Sequence, residues 1–201
     1  MANKNDAINS YITDMLALEE HIETALRSQL EDLKDYPAIV GKIKTIHRTV
    51  EHHISDLKQL ADARGANGAT GAIKRAGAVA LGFAAGAIDL VRTEGLPKNL
   101  RDDYTAFSLA TIGYVMLNTV GLALGERDVA ELANQFFRDY TRATMTFHNI
   151  VPAAVVRYLQ EEGLPAQEDV LQEVNRNIEE GWRGQSDKVP DADQTSLARG
   201  T

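Results

Sequence analysis

The stretch that decides the fold reads Ile46-His47-Arg48-Thr49-Val50-Glu51-His52-His53-Ile54-Ser55-Asp56-Leu57. It holds three of the chain's five histidines, and its apolar residues recur at steps of three and four, the spacing of an amphipathic helix. On such a helix His53 falls on the apolar stripe, three residues after Val50 and four before Leu57. The stretch therefore predicts a helix of a bundle with one imidazole directed at the core and with His52 pointing outward.

The same periodicity continues on both sides of this stretch and predicts an all-α fold, because no segment has the alternation of a strand. Pro37 starts the helix that contains the stretch, and Gly125 and Gly163 end two later helices. Asp102 or Asp103 is expected to cap the third long helix. The long helices are predicted at about 9–35, 38–64, 103–124 and 127–162, with a fifth, shorter helix at 168–182.

One domain is expected over residues 1–183, because 201 residues leave little room for a second core. Glycine and alanine dominate residues 65–98, which form a predicted crossover with a short inserted helix at 72–92. Residues 184–201 are polar and are predicted to be a disordered tail.

Composition excludes several classes of function. The chain has no cysteine, so disulfides, thiolate metal sites and cysteine nucleophiles are excluded. A net charge of -8 without a basic face argues against nucleic-acid binding. The polar start of the chain lacks a secretory h-region, so a cytoplasmic location is expected. The apolar run at 76–88 is shorter than the roughly 20 residues of a membrane span, which leaves peripheral membrane contact as an alternative.

The third long helix carries no charge between Tyr104 and Leu124. A helix that is apolar on nearly all sides is normally buried. We therefore expect this helix to lie at the centre of the bundle or at an interface of a homo-oligomer, either a dimer or a larger assembly.

Candidate chemistry is sparse. A phosphate-binding loop and the HExxH and GxSxG patterns are missing, so an enzyme is disfavoured. Glu19 lies on or beside the apolar stripe of the first helix, where it could reach water or could be an inward carboxylate with a partner. Di-iron bundles use Glu-x-x-His pairs on two helices, and this chain has no such pair.

The chain nevertheless resembles the YciE/YciF type of ferritin-like protein over roughly residues 10–160. The likeness rests on the first helix with Asp14-Met15-Leu16-Ala17-Leu18-Glu19, the second helix with His53-Ile54-Ser55-Asp56-Leu57, the Gly-rich crossover, and Tyr114 followed by Leu124-Gly125. It implies a ferritin-like antiparallel four-helix bundle, commonly a dimer, with a di-iron type of centre and an association with bacterial stress responses.

Carried over residue by residue, the resemblance matches Glu19 to the carboxylate of the first helix and His53 to the histidine of the second. Ala110 stands where the family places a glutamate of the third helix, and in the fourth helix only Asp139 could supply a carboxylate. Most of the family's ligand set is therefore missing, and apolar residues such as Val50 and Ala110 are expected to fill the former site.

The preferred interpretation is a non-enzymatic, self-associating protein, stress-associated or structural, that binds no cofactor. The competing hypothesis is a metal-dependent protein that holds iron or another divalent ion. Its candidate ligands are Glu19 and His53, joined by Glu51, Asp139 and His148.

Overall fold

The computed structural model describes residues 3–33, 36–65 and 95–186. These ranges form five α-helices: α1 (Lys4–Asp32), α2 (Pro37–Ala63), α3 (Leu96–Ala123), α4 (Arg127–Glu161) and α5 (Val170–Ser186). The described ranges contain no strand, so the expected all-α class is confirmed. The inserted helix expected at 72–92, the apolar run at 76–88 and most of the tail expected at 184–201 lie outside the described residues.

The ends of the helices follow from local sequence. Pro37 begins α2, while Gly125 and Gly163 follow α3 and α4 with φ of 73° and 77°, a left-handed conformation that glycine adopts without steric cost. The predicted start of the third helix at Asp102 or Asp103 is wrong, because α3 begins at Leu96. Pro97 lies in the first turn, where its missing N–H costs nothing, so the helix already begins within residues 65–98, the range of the predicted crossover.

The four long helices share one apolar core. In it α1 packs on α2 and α3, and α4 packs on α2 and α3. Its largest fully buried side chains are aromatic residues of α3 and α4, namely Phe107, Tyr114, Phe136, Tyr140 and Phe147. At one end of the core α3 and α4 come very close, since a Cβ atom added to Gly121 would lie 2.8 Å from the Ala130 backbone nitrogen. Among the described helices, the short helix α5 packs mainly against α4.

The helix α3 buries one face and exposes the other. Its exposed apolar side chains are Leu109, Ile112, Val115, Met116 and Leu122. Within the described ranges α3 is also the one helix that is long and apolar enough to cross a membrane, with a mean hydropathy of 1.5 in its most apolar window. Core helices of soluble proteins pass the same test, so length and composition alone do not assign it to a bilayer.

Candidate functional site

Glu19 lies in the middle of the core with no exposed surface, which decides between the two interpretations of its position. The Tyr114 hydroxyl of α3 donates a hydrogen bond to its Oε1, and the Tyr140 hydroxyl of α4 donates one to its Oε2. A buried carboxylate is stable only when hydrogen bonds replace its lost hydration. Tyr114 and Tyr140 supply those bonds from α3 and α4.

His53 extends this arrangement from α2. Its ring is fully buried and stacks on Phe136, with the ring centroids 3.7 Å apart and an angle of 14° between the ring planes. Its Nδ1 lies 3.3 Å from Glu19 Oε1, and its Nε2 lies 3.3 Å from Asp139 Oδ2. Both ring nitrogens can donate at once only when the imidazole is protonated. The inward direction predicted for His53 and the outward direction predicted for His52 are both confirmed.

Asp139 completes the arrangement at the edge of the core. Its side chain is 22% exposed, and its second oxygen, Oδ1, accepts a hydrogen bond from Nη2 of Arg142 one turn later on α4. We call Glu19, His53, Tyr114, Asp139 and Tyr140 the core network. In this network the carboxylates of Glu19 and Asp139 both lie against the His53 ring, and Asp139 also contacts the Arg142 guanidinium.

The two tyrosines of the core network are donors rather than phenolate ligands. Burial, reinforced by the Glu19 carboxylate, raises the pKa of the Tyr114 hydroxyl well above its usual range. The pKa of Tyr140 is raised for the same reasons, with a further contribution from Tyr114. Each hydroxyl therefore keeps its proton at neutral pH and uses it to hold a Glu19 oxygen.

Glu51 lies in a different place from the core network. On the outer side of the α1–α2 seam, His47 Nδ1 is 3.6 Å from Glu51 Oε2, and His47 Nε2 is 3.0 Å from Glu23 Oε1. One ligand atom from each of these three residues lies within 4.8 Å of the others, a spacing that could hold a metal ion. However, the carboxylates contact opposite nitrogens of one ring, and Arg27 Nη1 lies 3.5 Å from Glu23 Oε1. The side chains of this cluster therefore contact one another and Arg27.

His148 is also separate from the core network. It follows Asp139 by nine residues on α4, which is about 13 Å along a helix at 1.5 Å per residue. Its Nδ1 accepts a hydrogen bond of 3.2 Å from the Trp182 indole of α5, and its ring meets the Tyr104 ring edge-on. His148 thus anchors α5, and of the five predicted ligands the structure brings together only Glu19, His53 and Asp139.

Tyr114 and Tyr140 were not predicted as site residues, although both lie at apolar, inward positions of their helices. The sequence feature that could have identified them is their hydroxyl group at such a position. An inward glutamate requires inward donors on the facing helices, and these tyrosines are the hydroxyl-bearing aromatics on the buried faces of α3 and α4.

A second buried carboxylate, on α3, lies near the C-terminal end of α1. Asp103 is 5% exposed, and its Oδ1 accepts a hydrogen bond of 2.8 Å from Gln29 Nε2. Burial, partly offset by the Gln29 hydrogen bond and reinforced by Asp102, raises the pKa of Asp103 to about 7. Within the described ranges its Oδ2 has no hydrogen-bond partner, so Asp103 is a buried core carboxyl and not the helix cap that the sequence suggested.

Comparison with known proteins gives a similar fold but indicates no activity. No family model matches the chain, and no curated protein matches it. A crystal structure of protein XCC3681 from Xanthomonas campestris pv. campestris str. ATCC 33913 is similar, with a TM-score of 0.63 and 15% sequence identity. The match covers 81% of this chain and 100% of the other. At this identity the likeness shows a common helical fold alone.

Proposed function

We propose that the chain is a non-enzymatic, self-associating protein of the ferritin-like type, in which the core network occupies the place of a metal centre. The structural or stress-associated role and the cytoplasmic location expected from the sequence belong to the same proposal. The observation that carries it is the complete pairing of the core network: both Glu19 oxygens, both His53 nitrogens and both Asp139 oxygens have protein partners.

Contacts between helices support an antiparallel four-helix bundle. Asp103 of α3 meets Gln29 near the end of α1, and Tyr114 meets Glu19 nearer its middle, so α1 and α3 run in opposite directions. The helices α1 and α2 are antiparallel by the same reasoning, from the pairs Glu20–Lys58 and Glu23–His47. For α3 and α4 the pairs are Asn118–Ala130 and Tyr104–His148. For α2 and α4 they are Arg64–Glu126 and His53–Asp139. Consequently α2 and α3 run parallel, so the last residue of α2 and the first residue of α3 lie at opposite ends of the bundle. A parallel pair of consecutive helices in a four-helix bundle is typical of ferritin-like connectivity.

The residues around the core network favour a protein core over a di-iron centre. Such a centre takes about four carboxylates and two imidazoles from the bundle. Here Glu19 is the fully buried glutamate and His53 the fully buried imidazole, while Val50 and Ala110 are also fully buried. Apolar filling of a former polar site is often neutral or stabilising, because a partly satisfied polar cluster is costly.

Metal analysis tests this proposal directly. We expect purified protein incubated with iron, zinc or manganese and then desalted to hold less than one ion per chain, and we expect Glu19→Ala and His53→Ala to leave that content unchanged. The measurement is elemental analysis by mass spectrometry, with circular dichroism to verify folding. Stoichiometric metal that both substitutions remove would overturn the proposal.

A metal-dependent function is the second candidate, because Glu19, His53 and Asp139 do converge. The same metal analysis separates it from the outer cluster of Glu23, His47 and Glu51. A metal lost in Glu23→Gln and His47→Gln but retained in Glu19→Ala would belong to the outer cluster and not to the core network.

The exposed face of α3 supports self-association. Leu109, Ile112 and Met116 follow one another at steps of three and four, and their side chains are 49%, 57% and 48% exposed. Because no charge interrupts this face between Tyr104 and Leu124, it offers a continuous apolar strip to a second copy. Exposed apolar strips of this kind mark interaction surfaces.

Disruption of this strip is expected to dissociate the protein. We expect the double variant Ile112→Glu/Met116→Glu to sediment as a monomer at concentrations where the wild type sediments as a dimer or larger, since two buried charges per chain would oppose the interface. Ala153→Glu, at an exposed position of α4, is the matched control and should sediment like the wild type. Identical sedimentation of the double variant and the wild type would remove α3 as the interface.

A further inference from the structure

A cleft of about 230 Å³ opens between α2 and α4, on the outer side of the core network. Its apolar part is formed by Ile46 and Val50 of α2, Phe107 of α3 and Ala143 of α4. Tyr140 and Asp139 belong both to the cleft and to the core network. The cleft is thus a separate space that shares one wall with the network.

Three threonines complete the walls of the cleft, and each hydroxyl proton is already engaged in a hydrogen bond within its own helix. Thr45, Thr49 and Thr146 each donate to the carbonyl of the residue four positions earlier on their own helix, at 3.1, 3.3 and 2.9 Å. A hydroxyl has a single proton to donate. These side chains therefore offer a ligand their methyl groups and oxygen lone pairs but no hydrogen-bond donor, so the walls favour an apolar body.

The mouth of the cleft is polar and donates hydrogen bonds. Both oxygens of Asp139 already contact His53 and Arg142, so this carboxylate is less available to a ligand cation than an unpaired one would be. The Arg142 side chain is 75% exposed and uses Nη2 on Asp139, while a guanidinium carries several further N–H donors. Arg48, whose Nη2 lies 3.5 Å from Thr45 Oγ1, adds a second guanidinium beside the cleft.

The size of the cleft limits the ligand to one ring or a short chain. Cavities of about 150 Å³ accept benzene, and pockets for drug-sized molecules begin at about 300 Å³. We propose that the α2–α4 cleft binds small carboxylic acids with a single aromatic ring or a short aliphatic body, with the body between Ile46, Val50 and Phe107 and the carboxylate on Arg142. This binding does not depend on the core network being free of metal.

Benzoate is the probe that tests the site. In titrations followed by ¹H–¹⁵N correlation spectra of the full chain, we expect saturable shifts at the amides of α2 and α4 around the cleft, with a Kd on the order of 1 mM for so small a ligand. Benzyl alcohol, which keeps the ring and lacks the charge, should bind at least about tenfold more weakly, because a charge-assisted hydrogen bond to the guanidinium is lost.

Two variants locate the binding, and a third serves as a control. Arg142→Gln should weaken benzoate by about tenfold and leave benzyl alcohol unchanged, whereas Arg138→Gln, an exposed arginine one turn earlier on α4, should leave both unchanged. Thr49→Leu, which fills the cleft, should abolish both. Three results would each overturn the proposal. The first is a lack of saturable shifts at a benzoate concentration 10-fold above the expected Kd. The others are equal affinity of Arg142→Gln and wild type for benzoate, and shifts that persist in folded Thr49→Leu.

Discussion

Replacement of Glu19 by alanine is expected to lower the free energy of unfolding by about 4 kcal/mol, the largest effect of any single side chain in the core network. The change removes the acceptor of both tyrosine hydroxyls and of His53 Nδ1, and all three donors are buried. Each donor left without a partner in a core costs roughly 1–3 kcal/mol, and partial rearrangement keeps the total below the sum. Urea unfolding followed by far-UV circular dichroism measures the difference.

The neighbouring residue is a matched control. Glu20 is half-exposed and pairs with Lys58 on the surface at 2.8 Å. Surface ion pairs contribute about 0–1 kcal/mol, so Glu20→Ala should unfold close to the wild type. A loss below about 1 kcal/mol for Glu19→Ala would mean that the core network does not hold the helices together as the hydrogen bonds imply.

Tyr114→Phe and Tyr140→Phe divide this effect between the two hydroxyl groups. Each substitution removes one hydrogen bond to Glu19 while it keeps the ring in the core, so each should cost about 1–2 kcal/mol. Because both bonds go to one carboxylate, the double variant is expected to deviate from additivity.

Asp103 is expected to make the protein less stable as the pH rises, opposite to the usual behaviour of a paired carboxylate. The folded state keeps the Asp103 proton up to a pKa of about 7, whereas the unfolded chain loses it near the ordinary value of 3.8. Between these values the folded state binds more protons than the unfolded state. The stabilisation is therefore fully present below pH 3.8 and is lost as the pH rises through about 7.

The magnitude of this effect is about 4 kcal/mol, because each pH unit in that window contributes about 1.4 kcal/mol. Other carboxylates titrate too, and the pKa of Glu126 is lowered by Lys4 and Arg64, so the comparison must be made against a variant. Asp103→Asn cannot ionise and should be more stable than the wild type at pH 8, with the advantage shrinking toward pH 4.

The measurement is the difference in unfolding free energy between Asp103→Asn and the wild type at several pH values. Asp102→Asn is the adjacent control: Asp102 contacts Arg101 at 2.7 Å, and its replacement should leave most of the pH dependence in place. A difference between Asp103→Asn and wild type that stays constant from pH 4 to pH 8 would contradict a raised pKa.

Local spacing was sufficient to place His53 but not to place Glu19. The three-and-four spacing from Val50 to Leu57 fixes one direction for the His53 side chain, and the structure buries it. Glu19 stood at the edge of a stripe, where both directions are compatible with a helix. Its direction depends on hydroxyl groups supplied by α3 and α4, and contacts so distant in sequence are not contained in helical periodicity.

The start of α3 was misplaced because proline and aspartate each have two uses. Proline ends some helices and opens others, and Pro97 opens α3. Asp103 was taken as a cap because acidic residues favour helix starts. The spacing of Asp103 four residues before Phe107 and seven before Ala110 places it on the buried stripe instead. That periodicity was available in the sequence and outweighs the capping preference.

The spread of the five candidate ligands has a similar cause. Spacing along α2 puts Glu51 one turn after His47, but only packing decides that both face Glu23 of α1 rather than the core. Likewise, His148 lies on α4 at a position whose surroundings are set by α5. The metal hypothesis for these residues stays a prediction, with the ligands now divided among three places.

The anchoring of α5 also determines what the fluorescence of this protein reports. Trp182 is the only tryptophan of the chain, and it lies on α5 with its indole bound to His148. Its emission therefore follows the seating of α5 on α4 and carries little information about the core of the four long helices. When emission and far-UV circular dichroism are recorded on the same sample, a gap between their two transitions measures how far α5 detaches before the core unfolds.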